Sequence, residues 1–161
     1  MKTQKTKLDY IDFKILNELQ LNGKISNVEL AQFVNISPPS CLRRVKALEE
    51  AKFINGYNAV VNAELLGFKV TVFAYVGLES QAESDLQTFE KYISTFPEVR
   101  ECHMLIGEVD FLLKIVAKDW DEFQKFLTAK LTQAPKVSNV KTSLNIRCVK
   151  SLPGVPFDTM L

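Results

Sequence analysis

SNVELAQFVNISPPSCLRRVKALEEA, residues 26–51, places two short helices around a three-residue break. Ser26 is followed three residues later by Glu29, the spacing of a capping box that satisfies two orphan N–H groups at a helix start. Val28, Leu30, Ala31 and Val34 give that helix apolar surface. Asn35, Ile36 and Ser37 interrupt it. Ser37 then suits an N-cap and Pro38 the first helical position, where a missing N–H costs nothing. This helix runs to about Ala51. Upstream, Leu8, Ile11, Ile15, Leu16 and Leu19 share one helical face, and Gly23 follows as a stop. Three short helices with tight connections form a trihelical unit. A unit this small buries little surface and depends on a neighbour or a partner chain for full stability.

At about 100° per residue, Leu42, Val45 and Leu48 of the third helix turn together toward a core, flanked by Cys41. Ser40, Arg43, Arg44 and Ala47 fall on the other side. Arginines beside small residues suit a helix in the major groove, where Arg reads guanine edges or grips phosphates. Pro39 and Ser40 lie at the helix start, where unpaired N–H groups favour phosphate. The candidate DNA-binding residues are Ser37, Pro39, Ser40, Arg43, Arg44 and Lys46. A solvated face is the competing reading, with Arg43, Arg44 and Lys46 paired to Glu49 and Glu50. Helix-turn-helix spacing favours the groove. So does charge. Residues 1–56 hold nine basic and six acidic side chains, although the chain as a whole carries only +1.

Downstream, residues 53–66 read as a strand or wing followed by a linker that Gly67 breaks. From residue 68 the period changes to two. Val70, Val72, Ala74, Val76 and Leu78 alternate with Thr71, Phe73 and Tyr75, which predicts a strand covered on both faces. Ser80 and Glu83 read as a capping box for a helix carrying Leu86, Phe89, Ile93 and Phe96. Strands follow over 99–106 and 109–117. Asp119 caps a further helix with Phe123, Phe126, Leu127 and Leu131 inward, and a last strand covers 140–149. The tail from Ser151 reads as extended. Strand-helix-strand twice over is the ferredoxin-like βαββαβ order. The predicted class is therefore α+β: a winged helix-turn-helix over 1–56, a wing and linker over 57–67, and a ferredoxin-like domain over 68–161. That domain would be an antiparallel sheet with two helices on one face. The other face would be bare and apolar, which implies burial against a second copy.

Composition excludes several classes. With 47% hydrophobic and 24% charged residues the chain is globular, not disordered. No apolar run approaches the ~20 residues of a membrane span. MKTQKTKLDY at the start carries no signal-peptide core, so a cytoplasmic protein is expected. Cys41, Cys102 and Cys148 have no zinc spacing and read as reduced, mostly buried thiols. His103 is the only histidine and sits within a strand, so no metal site and no Ser/His/Asp constellation can be assembled. The expectation is no enzyme and no cofactor.

Two stretches carry a family resemblance: LDYIDFKILNELQLNGKISNVELAQFVNISPPSCLRRVKALEEAKFINGY (8–57) and VRECHMLIGEVDFLLKIVAKD (99–119). The chain resembles the leucine-responsive regulator/AsnC family of prokaryotic transcription factors along nearly its whole length. The resemblance implies a winged helix-turn-helix joined to a ferredoxin-like effector domain, sheets packed face to face in a homodimer, and dimers assembled to octameric discs. It implies double-stranded DNA as partner and an amino acid as effector, in control of amino-acid metabolism genes. The family's Gly-x-x-Asp effector loop falls here on Gly107, Glu108, Val109 and Asp110, with Ile106 before it. Loop N–H groups would meet a ligand carboxylate, and a side-chain carboxylate its ammonium. Read on its residues alone, the loop favours a tight hairpin in which Asp110 satisfies backbone groups. Leu105, Ile106 and Leu112 around it favour an apolar amino acid. Two other functions stay open at this point: a disc-forming DNA organiser with little sequence preference, and an amino-acid-binding metabolic module.

Overall fold

In the computed structural model, which describes residues 7–157, the first helix starts at a pair of carboxylates. Asp9 is the N-cap of α1 (Tyr10–Leu21), and Asp9 and Asp12 cap each other's backbone N–H in a reciprocal box. The expected box at Ser26 and Glu29 opens α2 (Asn27–Phe33). Asn35, at φ 57°, closes that helix; Ile36 N–H reaches back to the Ala31 carbonyl and Asn35 N–H to that of Gln32. This pair of hydrogen bonds is a Schellman closure, and Asn tolerates its left-handed residue. It turns the chain sharply into α3 (Pro38–Glu50), which begins at Ser37 as expected, although the Ser37 hydroxyl makes no capping bond. Ile15, Leu16, Leu30, Ala31, Val34, Cys41 and Leu48 form the core beneath the three helices.

After α3 the expected wing strand is absent. Residues 53–60 are irregular, held at one point by the Tyr57 hydroxyl, which donates to Glu49 Oε1 at 2.9 Å.

The second unit runs Val61–Val149. It contains β1 (Val70–Leu78), α4 (Glu83–Ile93), β2 (Val99–Met104), β3 (Phe111–Ala117), α5 (Trp120–Phe126) with a π-helical turn at Leu127–Leu131, and β4 (Val137–Leu144). The strands lie in the order β2-β3-β1-β4, every pair antiparallel, which is the ferredoxin-like sheet. Register sets Val72 opposite Ile115, Ala74 opposite Leu113 and Val76 opposite Phe111, all facing Leu86, Phe89 and Ile93 of α4 and Phe123 and Phe126 of α5.

Three expectations change here. Ala82, not Ser80, is the N-cap of α4, because the Ser80 hydroxyl accepts from Ala82 N–H instead. β4 starts three residues before the expected Val140, since Lys136 at φ 64° turns the chain straight into it. The open sheet face is mixed rather than apolar. Phe73, Tyr75, Leu112 and Val116 share it with Ser143, Lys141, His103 and a Glu101–Lys114 ion pair of 2.7 Å. Of the thiols, Cys41 alone is buried, while Cys102 and Cys148 are exposed.

The tail also departs from the reading. Residues 150–157 group with the first unit rather than with the domain expected over 68–161. Phe157 is 8% exposed within the helical core, its ring 6.1 Å from that of Phe13. The Gln20 amide donates to the Val155 carbonyl at 2.9 Å and accepts from Val155 N–H at 3.0 Å. Gly154, at φ 71°, lies so close to Gln20 that a Cβ there would collide with the amide.

Candidate nucleic-acid interface and effector loop

The buried centre of α3 is Cys41, fully covered, with Leu48 on one side and half-buried Val45 on the other. That rotates the helix from the expected position. Leu42, expected inside, is 45% exposed. Arg44, expected outside, turns to α1, where its Nη1 lies 2.9 Å from Asp9 Oδ2 and 2.7 Å from Asp12 Oδ1. The two carboxylates raise the Arg44 pKa further. The Asp12 N–H and then the Arg44 guanidinium hold Asp9 below the ordinary carboxylate range. Arg44 is thus an interhelical clamp whose charge is cancelled on the spot. Neither Glu49 nor Glu50 takes part.

What faces outward is a stripe at helical spacing: Pro39, Leu42, Arg43, Lys46, Ala47 and Glu50 line one shallow groove along α3. Arg43 and Lys46 are exposed and, among the described residues, form no ion pair. Ser37 and Pro39 are exposed at the helix start, and Ser40 is half-buried. Asn27 Nδ2 donates to the Pro38 carbonyl at 2.9 Å, which fixes the first turn of α3 against α2. Of the six residues expected to meet DNA, the fold gathers Ser37, Pro39, Arg43 and Lys46 on an open surface, leaves Ser40 at its edge and withdraws Arg44.

In the second unit, Asp110 splices the loop into the sheet. Its N–H donates to the Val76 carbonyl at 3.0 Å, its carbonyl accepts from Leu105 N–H at 2.8 Å, and its carboxylate Oδ2 accepts from Leu78 N–H at 2.6 Å. One carboxylate oxygen is therefore engaged by backbone, as in the hairpin reading, and the other has no protein donor among the described residues. Ile106, Gly107 and Glu108 are exposed, Val109 is half-buried, and their N–H groups find no acceptor among the described residues. Gly107 does not take a left-handed conformation, and a Cβ on it would meet nothing.

The Lrp/AsnC ligand binding domain family matches residues 71–155, and a winged helix-turn-helix DNA-binding family matches residues 8–55. The chain belongs to the Lrp/AsnC family. It is 49% identical over 146 residues to the leucine-responsive regulatory protein of Rhizobium meliloti (strain 1021), covering 91% of this chain and 94% of that relative. It is 38% identical over 153 residues to the transcriptional regulator AzlB of Bacillus subtilis (strain 168), covering 95% and 98%. A transcriptional regulator from Neisseria meningitidis, solved as a complex with L-Met, superposes with a TM-score of 0.91 at 33% identity over 96% of this chain and all of that one. An AsnC family regulator from Agrobacterium tumefaciens gives 0.87 at 30% identity, with the same coverage.

As an Lrp/AsnC transcriptional regulator, the chain joins a DNA-binding helix-turn-helix to a ligand-binding domain. Asp9 and Asp12 escaped the sequence reading, and Leu42 was assigned to the wrong face. Asp9 and Asp12 stand at capping-box spacing, a signal as plain as that of Ser26 and Glu29, and would have given Arg44 its partners. Leu42 escaped because a leucine on a helix is assigned inward by default. No described group of three or more His, Cys, Asp or Glu could hold a metal, and no described helix is long and apolar enough to cross a membrane.

Proposed function

We propose that a homodimer of this chain, assembling further to an octamer, sets an α3 from each subunit into successive major grooves, with Arg43 and Lys46 on phosphates or guanine edges and Ser37, Pro39 and Ser40 around the helix start. The observation that carries this is the division of charge on α3. Arg44 is neutralised by Asp9 and Asp12, whereas Arg43 and Lys46 stand unpaired on the open stripe. Assembly is supported by large apolar side chains left outside each unit: Val60, Ile106 and Ile146 are almost wholly exposed, a state that burial between subunits relieves. An amino acid is proposed to bind at Ile106–Asp110, its carboxylate on the loop N–H groups and its ammonium on the free oxygen of Asp110. The exposed Leu105 and Ile106 favour an apolar side chain. The protein acts in the cytoplasm, without catalytic activity and with no cofactor beyond this effector.

The test is fluorescence anisotropy on an operator duplex selected from random DNA, with random duplex as competitor. A regulator prefers its site by roughly 10³ or more, and Arg43→Glu abolishes binding with an unchanged thermal melt. Equal affinity for both duplexes would turn the reading to a DNA organiser. Normal binding by Arg43→Glu would move the interface off α3.

A further inference from the structure

Leu42 stands apart from the residues around it. It lies in the first half of α3, almost half exposed, and takes no place in the helical core that absorbs Cys41, Val45 and Leu48. With nearly half its surface in water, the side chain forgoes a corresponding share of the burial that a core leucine gains. The groove it lines is unsuited to an apolar protein partner, because Arg43 and Lys46 flank it with unpaired charges that such a partner would desolvate. A surface that sets acceptors on both sides of one small apolar group matches the stripe. The DNA major groove is such a surface: phosphates and purine N7 and O6 atoms accept hydrogen bonds, and the thymine C5-methyl is apolar. Recognition helices read bases mainly with their N-terminal residues, where Leu42 sits. Glu50, at the far end of the stripe, tilts that end away from phosphate.

We propose that Leu42 is a specificity-determining residue that packs on the C5-methyl of a thymine between the contacts of Arg43 and Lys46. This rests on the reading that α3 enters the major groove, and it adds which base is read and how. On phosphates, Arg43 and Lys46 supply attraction common to all sequences, and Leu42 supplies a preference for thymine at one position in each half-site.

The test uses the full-length protein and the duplex it selects from random DNA. Thymines are replaced one at a time by deoxyuridine, which removes only the methyl group. In the wild type, one thymine in each half-site loses about fourfold in affinity on replacement, the value of one buried methyl. Leu42→Ala weakens binding to the intact duplex by a comparable or larger factor, leaves affinity for random DNA unchanged, and abolishes the deoxyuridine penalty at that position. Leu42→Met, which keeps an apolar tip, retains the penalty. The proposal is overturned if no thymine shows the penalty, if the penalty persists undiminished in Leu42→Ala, or if Leu42→Ala loses random and selected DNA equally. It is also overturned if Leu42→Ala shifts the oligomer on size-exclusion chromatography, which would make Leu42 a subunit contact. Failure of the groove reading itself shows separately, as Arg43→Glu binding random DNA normally.

Discussion

Arg43 and Arg44 are adjacent in sequence, and the ~100° between consecutive helical residues sends them to different tasks. Arg43 meets solvent, and Arg44 locks α3 to the start of α1. Salt dependence separates the two. Arg43→Ala should lower the slope of log affinity against log salt by about one, the share of a single phosphate. Arg44→Ala should leave the slope unchanged and lower the melting temperature. Anisotropy titrations at four salt concentrations, with a melt of each variant, decide it; a slope altered by Arg44→Ala would put that guanidinium on DNA. Acid gives a second expectation. Asp9 is held below its ordinary pKa by the Asp12 N–H and by Arg44. In the other unit burial raises Glu98, but Lys130 Nζ at 2.8 Å outweighs it and leaves Glu98 low as well. A carboxyl lowered in the folded state contributes stability that is complete above its ordinary pKa and is lost as pH falls through the folded value. Stability should therefore be flat from pH 7 to 5 and fall below about pH 4, and Arg44→Ala should flatten part of that fall in the helical unit. The sequence reading placed Cys41 at the flank of the buried face rather than at its centre, although cysteine is among the most buried residue types. One residue of error in that centre exchanged Leu42 and Arg44.

Helix starts were legible at Ser26 and Asp119, where a side chain caps its own helix, but not at Asp9, whose box with Asp12 went unread. They were illegible where the cap is backbone. α4 starts at Ala82 with no side-chain cap, and β4 follows a left-handed Lys136 that no propensity announces. The polar make-up of β4 hid it too. Ser138 donates to the Gly77 carbonyl, and the Asn139 side chain lies over Gly77, where a Cβ would come within 2.5 Å of it. A strand held by such polar contacts has no alternating signature. The α5 helix widens into its π-helical turn, whose Lys130 carbonyl accepts from the Tyr92 hydroxyl at 3.1 Å. α3 ends as α2 does: Phe53 N–H reaches Leu48 O and Lys52 N–H reaches Glu49 O, with Lys52 at φ 62°. Lysine in that conformation is strained by about 1 kcal/mol or more, part of which glycine returns as chain entropy. Lys52→Gly should stabilise the protein by roughly 0.5 kcal/mol, read as a higher urea midpoint at unchanged slope. A lower midpoint would mean that Lys52 makes a compensating contact.

At the scale of the molecule, the sequence yielded the order and class of both units but not where the first one ends. The tail that completes it lies some hundred residues beyond its last helix, and nothing in Val155-Pro156-Phe157 marks it as core. The open sheet face was misjudged because alternation names two faces without saying which polar residues the edge strands bring to them. Two measurements belong here. A thermal-shift screen against the twenty amino acids should find an apolar ligand that, at a hundred times its Kd, stabilises by about 2.7 kcal/mol. Asp110→Ala should erase that shift, and a shift of undiminished size in the variant would move the site elsewhere. Phe157→Ala should cost about 3–5 kcal/mol and speed hydrogen exchange in α1 well beyond that in β1. Equal acceleration in both would deny the tail a local role. The discontinuous first unit also bears on biosynthesis. Its helices leave the ribosome some hundred residues before the side chain that closes their core, on the order of ten seconds earlier at common elongation rates. Until then Phe13 waits uncovered, and a nascent chain that stalls short of Phe157 carries a DNA reader with its floor missing, a substrate for chaperones before it is a regulator.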